Sequence, residues 1–288
     1  MRRLRAAGLG ALGIAAVALV WGLYKALGPE GGVVVKGIVV LPRTSDLAMP
    51  TVGQMFSVFG QPATGGNGDT ILDVVVSASL FTLRIAAMGW VIGVVVGLLL
   101  ALLMSRFRIA EAAVLPWVVL SQTVPLIAIA PLVRRWGSQL QFGDFVWQPE
   151  HSVAVIAAYL AFFPVAVGGL RGLNSPDANQ LDLMHAYGVG WWTTLRRLRF
   201  PAAVPFLLAA LRLAAAAAVI GTVVAEVSIG LRGGIGRLVI EYAQAASGDP
   251  AKPWAPIFGA VAVGLVAAGA VAVIGLFLKP YRRQEVAA

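Results

Sequence analysis

The sequence predicts an all-α membrane protein with six transmembrane helices. Of its 288 residues, 59% are hydrophobic and 12% are charged, and the mean hydropathy is +0.85. Soluble globular proteins carry about 25% charged residues, so this chain needs the bilayer as its solvent. Apolar stretches long enough to cross the hydrocarbon core, about 20 residues each, are spread along nearly the whole chain. This distribution excludes a separate soluble domain of any size.

Six stretches meet the length requirement and are separated by charged or turn-rich segments. They are residues 8–27, 80–104, 112–133, 152–172, 204–227 and 255–278. The first stretch follows Met1-Arg2-Arg3-Leu4-Arg5, a start that is also typical of a cleaved signal peptide. Because the apolar run continues to Leu27 and no clear small-x-small cleavage motif follows it, we expect a retained helix.

The six stretches divide the chain into four predicted regions. They are an N-terminal transmembrane helix (1–28), an extracytoplasmic loop (29–79), a core domain (80–279) with a polar segment at 174–203, and a cytoplasmic tail (280–288). An even number of crossings places both termini on one side of the membrane. Putting them in the cytoplasm leaves more Arg and Lys residues inside than outside, which favours this orientation.

Several function classes are excluded by what the chain contains. It has no cysteine, so a disulfide framework and a thiolate metal site are excluded. His151 and His185 lie far apart and lack metal-ligand spacing, so we expect polar residues at the interface rather than a metal site.

The net charge of +9 reflects topology signals and not nucleic-acid binding. The predicted spans hold few ionisable groups, and no Gly-x-x-x-x-Gly-Lys-[Ser/Thr] loop occurs, so we expect no enzyme activity and no bound cofactor.

Three local patterns suggest how the spans are built. Gly89, Gly93 and Gly97 are four residues apart, which places them on one helical face where another backbone can approach closely; chance spacing in a chain with 33 glycines is the alternative. Pro125 and Pro131 are expected to break the third span, which is tolerated where a helix is buried in protein or lines a cavity. Residues 69–77 are expected to form a short interfacial helix before the second span.

The polar segment at 174–203, called the inner segment below, predicts two short helices separated by glycines. In the first helix Ser175 is the expected N-cap, Pro176 the first residue and Asp177 part of the first turn. This helix is expected to end near Tyr187, before Gly188 and Gly190.

The second helix of the inner segment has an amphipathic pattern. It is expected to place its apolar side chains on one face and its arginines elsewhere, and so to lie at the membrane surface until prolines mark the entry to the fifth span. The apolar residues are Trp191, Trp192, Leu195 and Leu198, the arginines are Arg196, Arg197 and Arg199, and the prolines are Pro201 and Pro205.

This segment resembles the EAA loop of ABC importer permeases. In that family a Glu-Ala-Ala sequence is followed by three residues and a glycine, and an apolar-Pro pair closes the motif. The chain has Asp182-Leu183-Met184-His185-Ala186-Tyr187-Gly188, with Pro201 thirteen residues after the glycine. Asp182 keeps the negative charge of the usual glutamate, whereas Leu183 and Met184 are bulkier than the two alanines.

Further motifs are similar to the nitrate/sulfonate/taurine and pyrimidine-precursor branch of these permeases, over roughly residues 40–280. In chain order they are Leu41-Pro42, Ser79-Leu80 with Arg84 and Gly89, Val124-Pro125, Pro131-Leu132, Trp136-Gly137, Phe200-Pro201-Ala202-Ala203-Val204-Pro205, Val224-Ala225-Glu226 and Gly234-Ile235-Gly236. Arg134-Arg135 departs from the family, which usually has apolar residues there.

The resemblance implies a type I ABC importer permease fold in the bacterial cytoplasmic (inner) membrane. Two permease subunits, here expected to be a homodimer, would pair above two cytoplasmic ATPases that bind ATP and Mg²⁺, and an extracytoplasmic binding protein would deliver the substrate. Residues 176–199 would be the coupling helix that contacts the ATPase, through Asp182, Leu183, Met184, His185, Gly188 and Pro201.

The expected substrate is a small polar or anionic solute such as a sulfonate, nitrate or taurine. A pyrimidine or vitamin precursor, or a passive channel or structural subunit, is the alternative.

A few residues are candidates for the substrate path. Glu226, near the outer end of the fifth span, has either a gating or substrate role or a structural ion pair with Arg84. Pro125 is a candidate because of the expected helix break. Arg134 and Arg135 could form a basic outer entrance that concentrates an anion, or could anchor the chain at lipid headgroups.

Overall fold

The computed structural model describes residues 2–35, 38–63 and 68–278. The predicted cytoplasmic tail (280–288) lies outside this part of the chain. The chain divides into two compact units: residues 1–76 with 238–258 form the first, and residues 77–237 with 259–288 form the second. The two units are described separately below.

Almost all regular structure is helical, as predicted. The helices are α1 (Arg2–Leu27), α2 (Val52–Ser57), α3 (Ile71–Arg106), α4 (Arg108–Ser121), α5 (Leu126–Gly137), α6 (Pro149–Leu173), α7 (Ala178–Ala186), α8 (Trp191–Thr194), α9 (Phe200–Ile229), α10 (Ile235–Gln244) and α11 (Trp254–Phe277). A π-helical turn (Leu195–Arg199) joins α8 to α9, and short 3-10 turns occupy Val58–Gly60 and Ala245–Ser247. Two short antiparallel hairpins pair β1 (Val33–Val35) with β2 (Ile38–Leu41), and β3 (Gln141–Phe142) with β4 (Phe145–Val146).

Five helices within the described residues are long and apolar enough to cross a membrane. They are Gly8–Leu27, Ile71–Arg106, Pro149–Leu173, Trp191–Ile229 and Trp254–Phe277. The third predicted span is instead two helices, α4 and α5, bent by 102° at the break between them. The break at Pro125 is confirmed, because this residue is the N-cap of α5. Pro131, in contrast, lies inside α5 and does not interrupt it.

The positions of α4 and α5 against their neighbours show that the pair makes one crossing. On α4, Val118 packs in a cluster with Leu173 at the end of α6 and Ala203 at the start of α9. On α5, Ala130 packs with residues at the opposite ends of α6 and α9, among them Val153 and Ile229. The pair therefore extends from one end of the bundle to the other, and counting it as one span brings the five long helices of the described residues to six segments.

Helix α6 is the centre of the second unit, and small residues let its neighbours approach it closely. The predicted contact face of Gly89, Gly93 and Gly97 on α3 is confirmed: a Cβ on Gly93 would lie 2.7 Å from the Cβ of Ala161 and 2.9 Å from the carbonyl oxygen of Ala158. On the side of α9, a Cβ on Gly172 would lie 2.9 Å from the Cβ of Ala203. Contact between backbones supplies the dispersion and shape complementarity that hold helices together in lipid.

The first unit fixes the loop after α1 by hydrogen bonds from the C-terminal end of that helix. The Trp21 indole donates to the carbonyl oxygen of Pro50 at 3.0 Å. The Lys25 ammonium donates at 2.6 Å both to Asp46 and to the carbonyl oxygen of Met49. Helix α2 begins with a capping box between Thr51 and Gln54. The loop between the first two spans is thus partly structured.

The predicted interfacial helix at residues 69–77 is wrong. Helix α3 begins at Ile71 and continues without interruption to Arg106. Thr70 and Asp73 exchange hydrogen bonds in the pattern of a capping box, with Thr70 accepting from the Asp73 N–H at 3.3 Å and donating to the Asp73 carboxylate at 2.7 Å. These bonds start the transmembrane helix itself, so the polar residues do not form a separate element.

A prediction follows for the contact between α3 and α6. Gly93→Ala should lower the stability of the protein by about 1–3 kcal/mol, because the added methyl group overpacks a site with no space for it. The measurement is thermal unfolding of the purified protein in detergent, followed by tryptophan fluorescence.

The matched control is Gly264→Ala in α11, where a Cβ would meet nothing within 4 Å. This variant should unfold at the wild-type temperature or slightly above it, since alanine favours a helix over glycine. Equal unfolding temperatures for the two variants would contradict the close packing of α3 on α6.

Candidate functional site

The first helix of the inner segment starts later than its sequence predicts. Asp177, with extended backbone angles, is the N-cap of α7, and the helix begins at Ala178. Ser175 is not the cap: its hydroxyl donates to the carbonyl oxygen of Gly172 at 2.7 Å and so completes the end of α6. The prediction of Ser175, Pro176 and Asp177 as cap, first residue and first turn is therefore wrong by two residues.

Gly188 ends α7 in a conformation that favours glycine. Its φ angle is +65°. The N–H of Gly188 donates to the carbonyl oxygen of His185, and the N–H of Val189 donates to that of Met184, each at 2.9 Å. This pair of bonds is a Schellman motif, which requires a left-handed residue at the position of Gly188. The turn predicted at Gly188 is confirmed, whereas Gly190 has a φ of −67° and no such requirement.

The second helix of the inner segment is not a separate element at the membrane surface, so that prediction is wrong. Helix α8, the π-helical turn and α9 form one helix of 39 residues, Trp191–Ile229. Pro201 closely follows the π-helical turn, so it lies inside the continuous helix and not at its start. Trp192 is also misplaced by the prediction, because it is 76% exposed. Trp191 is half-buried and shares a helical face with the buried Leu195 four residues later, whereas Trp192 points about 100° away from Trp191.

Two arginines connect the inner segment to the ends of other helices: Arg106 of α3 contacts the segment, and Arg199 of the segment contacts the end of α6. The Arg106 guanidinium, at the end of α3, lies 5.3 Å from the ring centroid of Trp191 and 5.1 Å from that of Phe107, within the range of cation–π attraction. Arg199 donates to the carbonyl oxygen of Leu173 at 3.4 Å and to the Asn174 side chain at 3.3 Å. The segment is therefore held at both ends of its second helix.

The inner segment has large exposed side chains. Leu183 is 58% exposed, and Tyr187 is 78% exposed. Asp182, His185 and Gly188 are exposed as well, while Met184 and Pro201 are half-buried. The structure thus brings the residues 182–188 together on one short helix and its turn, and it places Pro201 apart from them in α9.

Glu226 is the centre of a buried hydrogen-bond network at the other end of α9. Its side chain is fully buried and accepts from the Thr82 hydroxyl of α3 and from the Gly236 N–H of α10, each at 2.8 Å. The Thr82 oxygen in turn accepts from the Ile235 N–H at 2.9 Å. One carboxyl group therefore joins α3, α9 and the start of α10. The sequence analysis missed Thr82; the only signal was its polarity within an apolar helix.

Glycines around this network leave the space that the Glu226 side chain occupies. A Cβ on Gly234 would collide with the Glu226 carboxyl group, and one on Gly236 would lie 2.8 Å from the Glu226 Cβ. The main-chain carbonyl of Glu226 also accepts from the N–H groups of Gly230 and Leu231 as α9 ends, and Gly230 has a φ of +70°. The Gly234-Ile235-Gly236 motif is therefore a packing requirement of Glu226.

The proposed ion pair between Glu226 and Arg84 is wrong. Arg84 forms its ion pair with Glu150 at the start of α6, and both side chains are partly exposed. The reason is helix geometry: Arg84 follows Thr82 by two residues, a rotation of about 200°, so it points away from the side that Thr82 shares with Glu226.

Arg134 and Arg135 have different surroundings although they are adjacent. Arg134 donates to the carbonyl oxygen of Ile229 at 2.6 Å and so satisfies one of the free carbonyls at the end of α9. Arg135 is exposed, and its main-chain carbonyl accepts from the Ser138 hydroxyl. His151 accepts a hydrogen bond from the Gln148 N–H at 2.9 Å, a structural contact at the start of α6.

Comparison with known proteins gives a family match over most of the chain. Residues 93–281 match the model for a binding-protein-dependent transport system inner membrane component. The chain is 32% identical to the formylaminopyrimidine transport permease protein of Halalkalibacterium halodurans, over 71% of this chain and 77% of that protein.

Two further relatives have other substrates in their names. The chain is 28% identical to a putative aliphatic sulfonates transport permease protein of Bacillus subtilis, over 61% of this chain and 62% of that protein. It is 30% identical to the riboflavin transport system permease protein of Chloroflexus aurantiacus, over 47% of each chain.

The buried network around Glu226 leads to a prediction. Thr82→Val should destabilise the protein by about 1–3 kcal/mol, because it removes a donor to Glu226 and leaves the buried Ile235 N–H without its acceptor. Thermal unfolding in detergent measures this change.

Thr82→Ser is the matched control, since it keeps the hydroxyl and removes one methyl group. It should retain most of the stability that Thr82→Val loses. Equal losses in the two variants would assign the effect to packing and reject the hydrogen-bond network.

Proposed function

The chain belongs to the family of binding-protein-dependent inner membrane components of ABC transporters. From this membership we propose how it is coupled to an ATPase and which class of solute it transports. It is the permease subunit of an importer, a multi-pass protein of the inner membrane and not an enzyme. We propose that two copies pair, that residues 176–199 contact a separate cytoplasmic ATPase, and that an extracytoplasmic binding protein delivers the substrate.

The continuity of α8 with α9 carries the proposal for coupling. A partner that moves the inner segment moves a helix that runs without interruption from Trp191 to Ile229. The Arg106–Trp191 contact and the Arg199 bonds would transmit the same motion to α3 and α6. Rigid elements of this kind support a switch between two packed states. The exposed residues of α7 and its turn, Asp182, Leu183, His185 and Gly188, supply the contact surface.

The proposed substrate is a small polar solute. The names of the relatives include a formylaminopyrimidine, aliphatic sulfonates and riboflavin, all of which are polar organic molecules. The formylaminopyrimidine relative favours a pyrimidine precursor over an inorganic anion such as nitrate. A basic outer entrance has weaker support than the sequence suggested, because the guanidinium of Arg134 donates to the carbonyl oxygen of Ile229, although both arginines are exposed.

We further propose that both termini lie in the cytoplasm. Six crossings and the distribution of Arg and Lys support this orientation. Residues 28–79 and 134–150 would then lie outside, and the inner segment would lie inside, where an ATPase can reach it.

Cysteine labelling tests the orientation, because the wild-type chain has no cysteine to remove. In intact cells an impermeant maleimide should label Ser45→Cys and Ser247→Cys but not Ser175→Cys. Ser175→Cys should react after the membrane is permeabilised, which shows that the thiol itself is accessible. Labelling of Ser175→Cys alone in intact cells would contradict this orientation and indicate the opposite one.

A second prediction concerns coupling at Gly188. Gly188→Val should reduce uptake and substrate-stimulated ATP hydrolysis of the assembled transporter at least tenfold. The reason is backbone strain: a β-branched residue does not adopt the positive φ of this turn, although a Cβ there would meet nothing within 4 Å.

The matched control is Gly188→Asn, because asparagine tolerates the left-handed conformation. It should retain most of the activity, and both variants should reach the membrane in equal amounts. Wild-type coupling in Gly188→Val would show that the turn is not part of the contact with the ATPase.

A further inference from the structure

The break between α4 and α5 leaves main-chain polar groups without partners. Among the described residues, no hydrogen bond reaches the carbonyl oxygens of Gln122, Thr123 or Val124, and none is made by the N–H groups of Leu126 or Ile127. The Gln122 carboxamide makes one bond, to the Ser121 hydroxyl at 3.1 Å. Its oxygen and second N–H are free to bind another group.

This break lies in the middle of the membrane-spanning bundle. The Tyr159 hydroxyl, near the midpoint of α6 (Pro149–Leu173), donates to the Ser121 carbonyl oxygen at the end of α4. The same level of α6 contacts Gly89 and Gly93 of α3, whose partners Ala157 and Ala161 flank Tyr159. One carbonyl of the break is thus satisfied by α6.

Lipid cannot satisfy the remaining groups. Thr123, Val124 and Pro125 are exposed on the surface of the chain. Unpaired main-chain groups at this depth are tolerated only where they are buried in protein or line a water-filled cavity. A groove of about 720 Å³ leads away from the break along α4, from Leu120 and Val119 to Arg108 and Glu111 at the other end of that helix. The groove thus runs along α4 between the break and the end of the bundle near the inner segment.

We propose that residues 121–125 form a substrate contact in the translocation path. The proposal rests on the proposed function, since it assumes that the chain conducts a solute. The three free carbonyl oxygens and the Gln122 carboxamide oxygen accept hydrogen bonds, while the Gln122 amide and the first N–H groups of α5 donate them. The matching ligand is a small solute that carries donors together with acceptors, such as an aminosulfonate or an aminopyrimidine. A donor-free oxyanion such as nitrate leaves the carbonyls unmatched.

Tyr159 has a positioning role in this arrangement. Its hydroxyl holds the end of α4 against α6 through the Ser121 carbonyl oxygen, and so fixes the point from which residues 122–125 continue. Gln122 supplies the side chain that contacts the substrate, beside the main-chain groups of the break.

Water access at the break is the first test. Thr123→Cys and Ile92→Cys are made in the full transporter, assembled with its ATPase and binding protein in proteoliposomes. Ile92 is the matched control, because it is 42% exposed and lies on α3 between Gly89 and Gly93, at the level of Tyr159. A charged methanethiosulfonate reagent should modify Thr123→Cys at least tenfold faster than Ile92→Cys. Equal, slow rates would overturn the proposal.

The second test concerns the chemical class of the ligand. Taurine, 4-aminopyrimidine and nitrate are added at equal concentration with the binding protein, and the modification rate of Thr123→Cys is measured. At least one of the two donor-bearing solutes should slow the reaction threefold or more, and nitrate should not. Protection by nitrate to the same extent, or by none of the three, overturns the substrate contact.

Gln122→Leu supplies a third readout. It should raise the solute concentration for half-maximal uptake about tenfold, whereas Gln122→Asn, which keeps the amide, should raise it less. Equal effects of the two variants would reject recognition by the carboxamide.

Uptake by the wild-type transporter separates the two proposals. If the wild type takes up a solute while Thr123→Cys remains unreactive, the inference about the break fails and the proposed function stands. If Thr123→Cys reacts rapidly but the wild type takes up no solute with ATP, the proposed import function fails and the water-lined break remains.

Discussion

Close contact between backbones along α6 is the constraint on which the second unit depends. Lipid is as apolar as the side chains of these helices, so burial of apolar surface provides little driving force inside the bilayer. Stability must come from packing at short range, and glycine or alanine at the contact points on α3, α6 and α9 makes that range possible. A bundle built in this way tolerates few side-chain changes at the contacts, while its outer surface can vary with little cost.

The same packing makes α9 a connection between the inner segment and the Glu226 network. At one end its residues belong to the inner segment, and at the other Glu226 joins it to α3 and α10. With a rise of about 1.5 Å per residue, the 39 residues from Trp191 to Ile229 span about 58 Å. The inner segment and the Glu226 network are therefore joined by one continuous helix. The bend between α4 and α5 interrupts the bundle instead, and it does so in a neighbouring span.

Features that depend on the backbone alone could be predicted from the sequence. The glycine spacing on α3, the break at Pro125 and the turn at Gly188 follow from steric rules that act locally.

Contacts between distant side chains could not be predicted in this way. Thr82 and Glu226 are 144 residues apart, and a threonine in a helix can equally bond its own preceding turn. Arg84 was paired with Glu226 because charges are scarce in the spans, but its direction depends on the rotation of α3. The start of α7 was misjudged because the Ser175 hydroxyl completes α6 rather than capping the next helix.

The π-helical turn at Leu195–Arg199 determines how one end of the long helix is rotated about its axis relative to the other end. A π-turn holds one residue more than an α-helical turn, because its hydrogen bonds run to the fifth residue along the chain. One residue corresponds to about 100° of rotation in an α-helix. Removing one residue there would keep the helix continuous but would turn Trp191, α7 and the exposed surface around the axis of the fifth span. The direction in which this surface faces is thus encoded by the length of a five-residue turn, and a permease that differs by one residue at this place would present the same side chains in a different direction.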